Sequence, residues 1–124
     1  MRLRRDEAFR FEFDSPIAAL FTIERINDQV THSHEGEGHI LDLSPRGMKL
    51  LTPFDIPISD EQQVNISVRF KLIENEYTVQ GNIIWQEVAG EDYHYGLHLT
   101  VDEYVQEALI DELKHLAAST VNGE

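Results

Sequence analysis

The strongest constraint on this chain is the alternation of apolar and polar residues in short runs. Val64, Ile66, Val68 and Phe70 alternate with Asn65, Ser67 and Arg69. Successive side chains of a strand point to opposite faces, so such a run buries one face and wets the other. Phe9, Phe11 and Phe13 repeat the pattern around Arg10 and Glu12. Asp14-Ser15-Pro16 interrupts it, because proline cannot donate to a ladder and fits a bulge or an edge. The run 17–26 then resumes as strand, and the polar, glycine-containing stretch 27–38 reads as a hairpin loop. Further strands are expected over 39–43, 48–52, 77–88 and 93–101, with a bulge or bend at Gly81. Trp85, flanked by Ile83 and Ile84, reads as core. The expected fold is mainly β, with six or seven short strands in an antiparallel barrel or sandwich, since closure removes unpaired strand edges.

One helix is expected at the C-terminus. Val101, Tyr104, Val105, Ala108, Leu109, Leu113 and Leu116 fall on one apolar stripe at helical spacing. Thr100 and Glu103 have the spacing of a capping box, in which each side chain satisfies an amide left unpaired at the helix start. The helix is expected to lie across an open end or side of the barrel. Residues 1–118 then form a single domain, with 1–10 as a flexible basic arm and 119–124 as a polar tail.

Composition narrows the function. The chain has 124 residues and no cysteine, which excludes disulfides, thiolate zinc sites and a cysteine nucleophile. No apolar run approaches the length of a membrane span, and no apolar signal-peptide core follows the N-terminal arginines. A cytoplasmic location is expected. A formal charge of −13 argues against binding a nucleic-acid polymer or an anionic membrane. His32, His34 and His39, beside Glu35 and Glu37, have metal-ligand character, but a solvated polar loop is the favoured reading and no metal site is expected. No Ser/His/Asp arrangement, phosphate-cradling glycine loop or carboxylate pair stands out. The chemistry expected is recognition, not catalysis, with no cofactor.

Against the acidic body stands a basic N-terminus. Arg2, Arg4, Arg5 and Arg10 are four of the ten basic residues in the chain. With Asp6 and Glu7 the first ten residues carry +2, leaving −15 for the remainder. A local cluster of arginines suits a compact anionic ligand such as a phosphate, which the planar guanidinium grips in a paired geometry. The turn Asp42-Leu43-Ser44-Pro45-Arg46-Gly47 adds short polar side chains and a glycine between two apolar runs. Such residues also build ordinary turns.

Taken in order, these features resemble the PilZ domain family of cyclic di-GMP receptors. That family carries an arginine segment before its first strand and an Asp/Asn-x-Ser-x-x-Gly turn. A Gly-x-Val-x-Trp-like strand and an aromatic-Gly-Leu-x-Phe-like strand follow before a closing helix. Here those places hold Arg4-Arg5 and Arg10, then Asp42, Ser44 and Gly47, then Gly81 to Trp85, and Tyr95 to Leu99. The family motif is Arg-x-x-x-Arg, whereas Arg5 stands five residues before Arg10. The resemblance implies a split barrel and a ligand site made by Arg4, Arg5, Arg10, Asp42, Ser44 and Gly47. It implies cyclic di-GMP as ligand and a downstream protein as partner, in a monomer or a homodimer, within bacterial control of motility, polysaccharide or adhesion. Losing Arg5 or Arg10 is then expected to abolish binding without lowering the melting temperature. The alternative is a degenerate PilZ-like domain that binds no nucleotide and serves as a protein-interaction module.

Overall fold

The computed structural model describes residues 10–122 apart from residue 32. Among the described residues it has seven strands and one helix. The strands are β1 (Phe11–Ile26), β2 (Gln29–Val30), β3 (Gly36–Ser44), β4 (Gly47–Thr52), β5 (Val64–Lys71), β6 (Glu76–Ala89) and β7 (Asp92–Leu99). The helix is α1 (Glu103–Asn122). The sheet order is β2-β1-β3-β4-β7-β6-β5, and a further β1–β5 pairing closes six of the strands into an antiparallel barrel. β2 is an extra strand on β1.

β1 closes the barrel because it is long enough to pair twice. Its first part runs beside β3, from Phe11↔Leu43 to Phe21↔Gly36. Its second part runs beside β5, from Ala19↔Phe70 to Ile26↔Val64. Asp14-Ser15-Pro16 forms the bulge expected of it, as a register shift between Glu12 and Ile17. The segment 27–38 is less loop-like than its composition implies. It contains β2, and β3 already begins at Gly36, because Ala19 to Phe21 pair with residues 36–38.

Alternation holds in β5, where Val64, Ile66, Val68 and Phe70 are all buried. Inside the barrel Leu43, Met48, Leu97 and Ile83 form one row across four strands. Ile40, Leu50 and Tyr95 form the next. β6 does not break at Gly81; its irregularity lies between Ile83 and Trp85. The extra residue reverses the phase of the strand, so Ile83 is buried while Ile84 and Trp85 are 62% and 39% exposed. Trp85 is therefore an outer-face residue and not core.

α1 covers one end of the barrel. Leu109 and Leu113 enter the core, with Val105, Ala108 and Leu116 packed beside them. Tyr104 leaves the stripe and is 87% exposed. The N-cap is Asp102, whose Oδ1 accepts from the Val105 amide. Thr100 does not cap; its hydroxyl lies against the Gln80 carbonyl on β6. Glu112 ties the helix to the β5–β6 turn by accepting from the Ile73 amide at 2.9 Å, from Asn75 at 2.6 Å and from the Tyr77 hydroxyl. At the opposite end the loop between β4 and β5 is held by the Tyr95 hydroxyl. That hydroxyl donates to the Phe54 carbonyl and accepts from the Ile56 amide and the Gln86 side chain. No helix among the described residues is long and apolar enough to cross a membrane.

Candidate functional site

The turn at Pro45-Arg46 joins β3 to β4 with Ser44 paired directly to Gly47. Asp42 and Ser44 are two residues apart on β3, so both side chains face the same side of the sheet. On the other flank β1 pairs Glu12 with Asp42. Arg10, just before β1, thereby comes within reach, and its Nη1 donates to Asp42 Oδ1 at 2.7 Å. Its Nη2 lies over Gly47, where a Cβ would stand only 2.9 Å from that nitrogen and 3.3 Å from Ser44 Oγ. The absence of a side chain at Gly47 thus allows the close approach of Arg10. Arg10, Asp42, Ser44 and Gly47 meet at one place; Arg4 and Arg5 lie outside the described residues.

Asp42 is only 8% exposed and Ser44 is also buried. Burial, helped by the Glu12 charge, holds the Asp42 pKa above its usual value against the pull of Arg10 and Lys49. At neutral pH the buried carboxylate relies on these cationic neighbours to offset its lost hydration. Removing Arg10 would leave it buried with one fewer partner, so the contact predicts a stability cost for Arg10→Ala. Arg10 spends one guanidinium nitrogen on Asp42 and is itself 42% exposed at the side chain, which leaves donors facing outward.

The sequence reading missed half of this surface. Asp42 is paired with Lys49, Lys49 with Gly96 and Gly96 with Trp85, a row running across four neighbouring strands. Three strand spacings make it about 14 Å long. The indole of Trp85 rests on Gly96, where a Cβ would fall 2.0 Å from Nε1. Lys49 Nζ stands 6.0 Å from the centre of the ring, at cation–π range. His98 is exposed and is the register partner of Gly47. The available signal was the pair Gly96 and Trp85, since a strand glycine often marks a site where another group lies close. Reading it required the bulge at Ile84, which no local pattern announces.

The assembled groups are a guanidinium, an ammonium, a carboxylate, a hydroxyl and an exposed indole on one face. Cations suit phosphate, a carboxylate suits the N–H donors of a base edge, and an indole offers a stacking surface. The histidine-rich segment is built differently. Glu35 is engaged by Arg69 at 2.9 Å, residue 32 lies outside the described residues, and no group of three or more His, Asp or Glu among those described could hold a metal ion.

Comparison with known proteins bears on this arrangement. A solved structure, the PilZ domain of CeSA from a cellulose-synthesizing bacterium, superimposes with a TM-score of 0.55 at 16% identity. It covers 93% of this chain and 100% of that one, and at such identity it speaks for the fold alone. No curated protein matches the chain. The sequence profile of the PilZ domain matches residues 4–115, a span that takes in the arginine arm, the Asp42 turn, the whole barrel and most of α1. With that match and a shared architecture, the chain belongs to the PilZ domain family, a family of cyclic di-GMP receptors.

Proposed function

We propose that this chain is a cyclic di-GMP receptor that passes the signal to a protein partner. The observation that carries the reading is the meeting of Arg10, Asp42, Ser44 and Gly47 on one outer patch. Cyclic di-GMP has two guanines and two phosphates. The free guanidinium nitrogens of Arg10 suit a phosphate or the O6/N7 edge of guanine. Asp42 suits the guanine N1 and N2 donors, and Ser44 a base edge or phosphate. Lys49 adds charge, and Trp85 offers a face on which a base can stack. Arg5 and Arg4, five and six residues before Arg10, are proposed to grip the ligand from the arm. Ordering of the arm over bound ligand would be the signal read by the partner.

A second reading has its own support. Asp42 Oδ1 is already occupied by Arg10, and Arg5 is one residue further from Arg10 than the family motif places it. A domain whose site is closed on itself would serve as an interaction module without nucleotide. Isothermal titration with cyclic di-GMP, with GTP and cyclic di-AMP as controls, separates the two. Micromolar or tighter binding that is lost in Arg10→Ala and Asp42→Ala supports the receptor. No heat at high ligand refutes it and leaves the module.

A further inference from the structure

β6 extends past the start of its neighbour β5. The pairing of β5 with β6 ends at Asn65↔Asn82, while β6 runs on to Ala89 beside β7. Among the described residues, no main-chain hydrogen bond joins residues 84–89 to any element but β7. One side of this stretch is therefore an open strand edge, as is the side of β1 away from β3 before Ala19. It is also apolar: Ile84 is 62% and Val88 68% exposed. Exposed edges are normally blunted with lysine, proline, a bulge or a covering loop. Residues 84–89 hold no lysine or proline, and the bulge at Ile84 is the device present.

Its surroundings are acidic. Glu87, Glu91 and Asp92 lie on or beside the hairpin, and Asp55 bonds the Gln86 side chain from the facing loop. Residues 83–101 hold no lysine or arginine and carry Glu87, Glu91 and Asp92, while Lys49 reaches Trp85 from the far side of β7. Two copies joined edge to edge would bring these carboxylates together, so the charge disfavours a second copy as occupant.

We infer that the free edge of β6 over residues 83–89 receives an extended segment of a partner protein that alternates apolar and basic residues. Main-chain hydrogen bonds supply the pairing, the apolar side chains lie against Ile84 and Val88, and lysine or arginine meets Glu87 and its neighbours. This edge shares Trp85 with the proposed nucleotide site, but it is argued from main-chain pairing and its test is made without nucleotide, so the two readings fail separately.

The probe is a capped heptapeptide alternating lysine and valine. The control has the same charges with proline in place of the central valine, which can satisfy the acidic surface but cannot pair as a strand. The expected result is shifts of backbone amide resonances confined to residues 83–89 and their β7 partners, with affinity at least about tenfold above the proline control. Ile84→Lys and Val88→Lys change exposed side chains, should keep the melting temperature, and should abolish the shifts. Equal binding of the proline peptide, shifts on α1 instead, or no binding overturns the inference. So does sedimentation that finds a dimer dissolved by Ile84→Lys, which would assign the edge to a second copy.

Discussion

Gly96→Ala tests how the outer row of the site is built. A Cβ at Gly96 would lie 2.0 Å from Trp85 Nε1, 2.1 Å from Cε2 and 2.7 Å from Cδ1. The indole must lift by about 1.5 Å to reach ordinary contact at about 3.5 Å. Trp85 is 39% exposed, so roughly 150 Å² of a side chain near 250 Å² is covered, worth at most about 4 kcal/mol at 25 cal/mol per Å². Lifting the ring forfeits a third to a half of that, about 1–2 kcal/mol. Replacing glycine recovers some unfolded-state entropy, about 0.5 kcal/mol. The net expectation is a loss of about 1 kcal/mol and a fall in Tm of about 3–5 °C. Trp85 is the only tryptophan, so its emission reports the ring directly and should shift to the red, with stronger quenching by acrylamide. Gly90→Ala is the control. Gly90 has a φ of 67°, and a Cβ there would meet nothing within 4 Å. This variant should lose about 1 kcal/mol through backbone strain while leaving the emission unchanged. Unchanged emission and Tm in Gly96→Ala would refute the placement of the indole on Gly96.

Three further outcomes follow from the hydrogen bonds. Tyr95→Phe strips the Ile56 amide and the Phe54 carbonyl of their partner and should cost about 2–3 kcal/mol in urea unfolding; a loss under about 0.5 kcal/mol would refute the role of this hydroxyl in holding the β4–β5 loop. Arg10→Ala should cost about 1–2 kcal/mol at neutral pH, with the loss reduced when Asp42→Asn is added, because no buried ion then remains unpaired; simple additivity of the two would contradict the coupling. Partial burial raises the Glu112 pKa, but the bonds from Tyr77, Asn75 and the amides of Ile73 and Glu74 outweigh it and hold the group below its usual 4.5. Its contribution is therefore full above that value and lost as pH falls through the lowered folded value, so Glu112→Gln should flatten the acid side of the stability–pH curve; an unchanged curve would refute the linkage. Asp42 runs the other way, since a raised folded pKa means stability declining as pH rises from 3.8 to that value.

Several parts of the protein could be read before folding. Alternation in Val64 to Phe70, the break at Pro16 and the turn from Ser44 to Gly47 are local properties, set by side-chain period and by which residues tolerate a tight link. The cluster of Asp42, Ser44 and Gly47 lies within six residues, so its neighbours in space are its neighbours in sequence. Arg10 stood out by charge alone.

The rest depended on register. The capping pair at Thr100 and Glu103 fitted a local rule, yet Asp102 occupies the cap because Thr100 lies against Gln80 across the sheet. Trp85 fitted the core between two isoleucines, and one bulged residue at Ile84 turned it outward. The side-chain period of a strand is two, so a single inserted residue exchanges the two faces for everything beyond it. Sequence determined the alternating strands, the basic N-terminal composition and the polar turn. Tertiary structure alone decided that Lys49, Gly96 and Trp85 continue that turn into one surface, because cross-strand pairing joins residues far apart in the chain and no local pattern records the register.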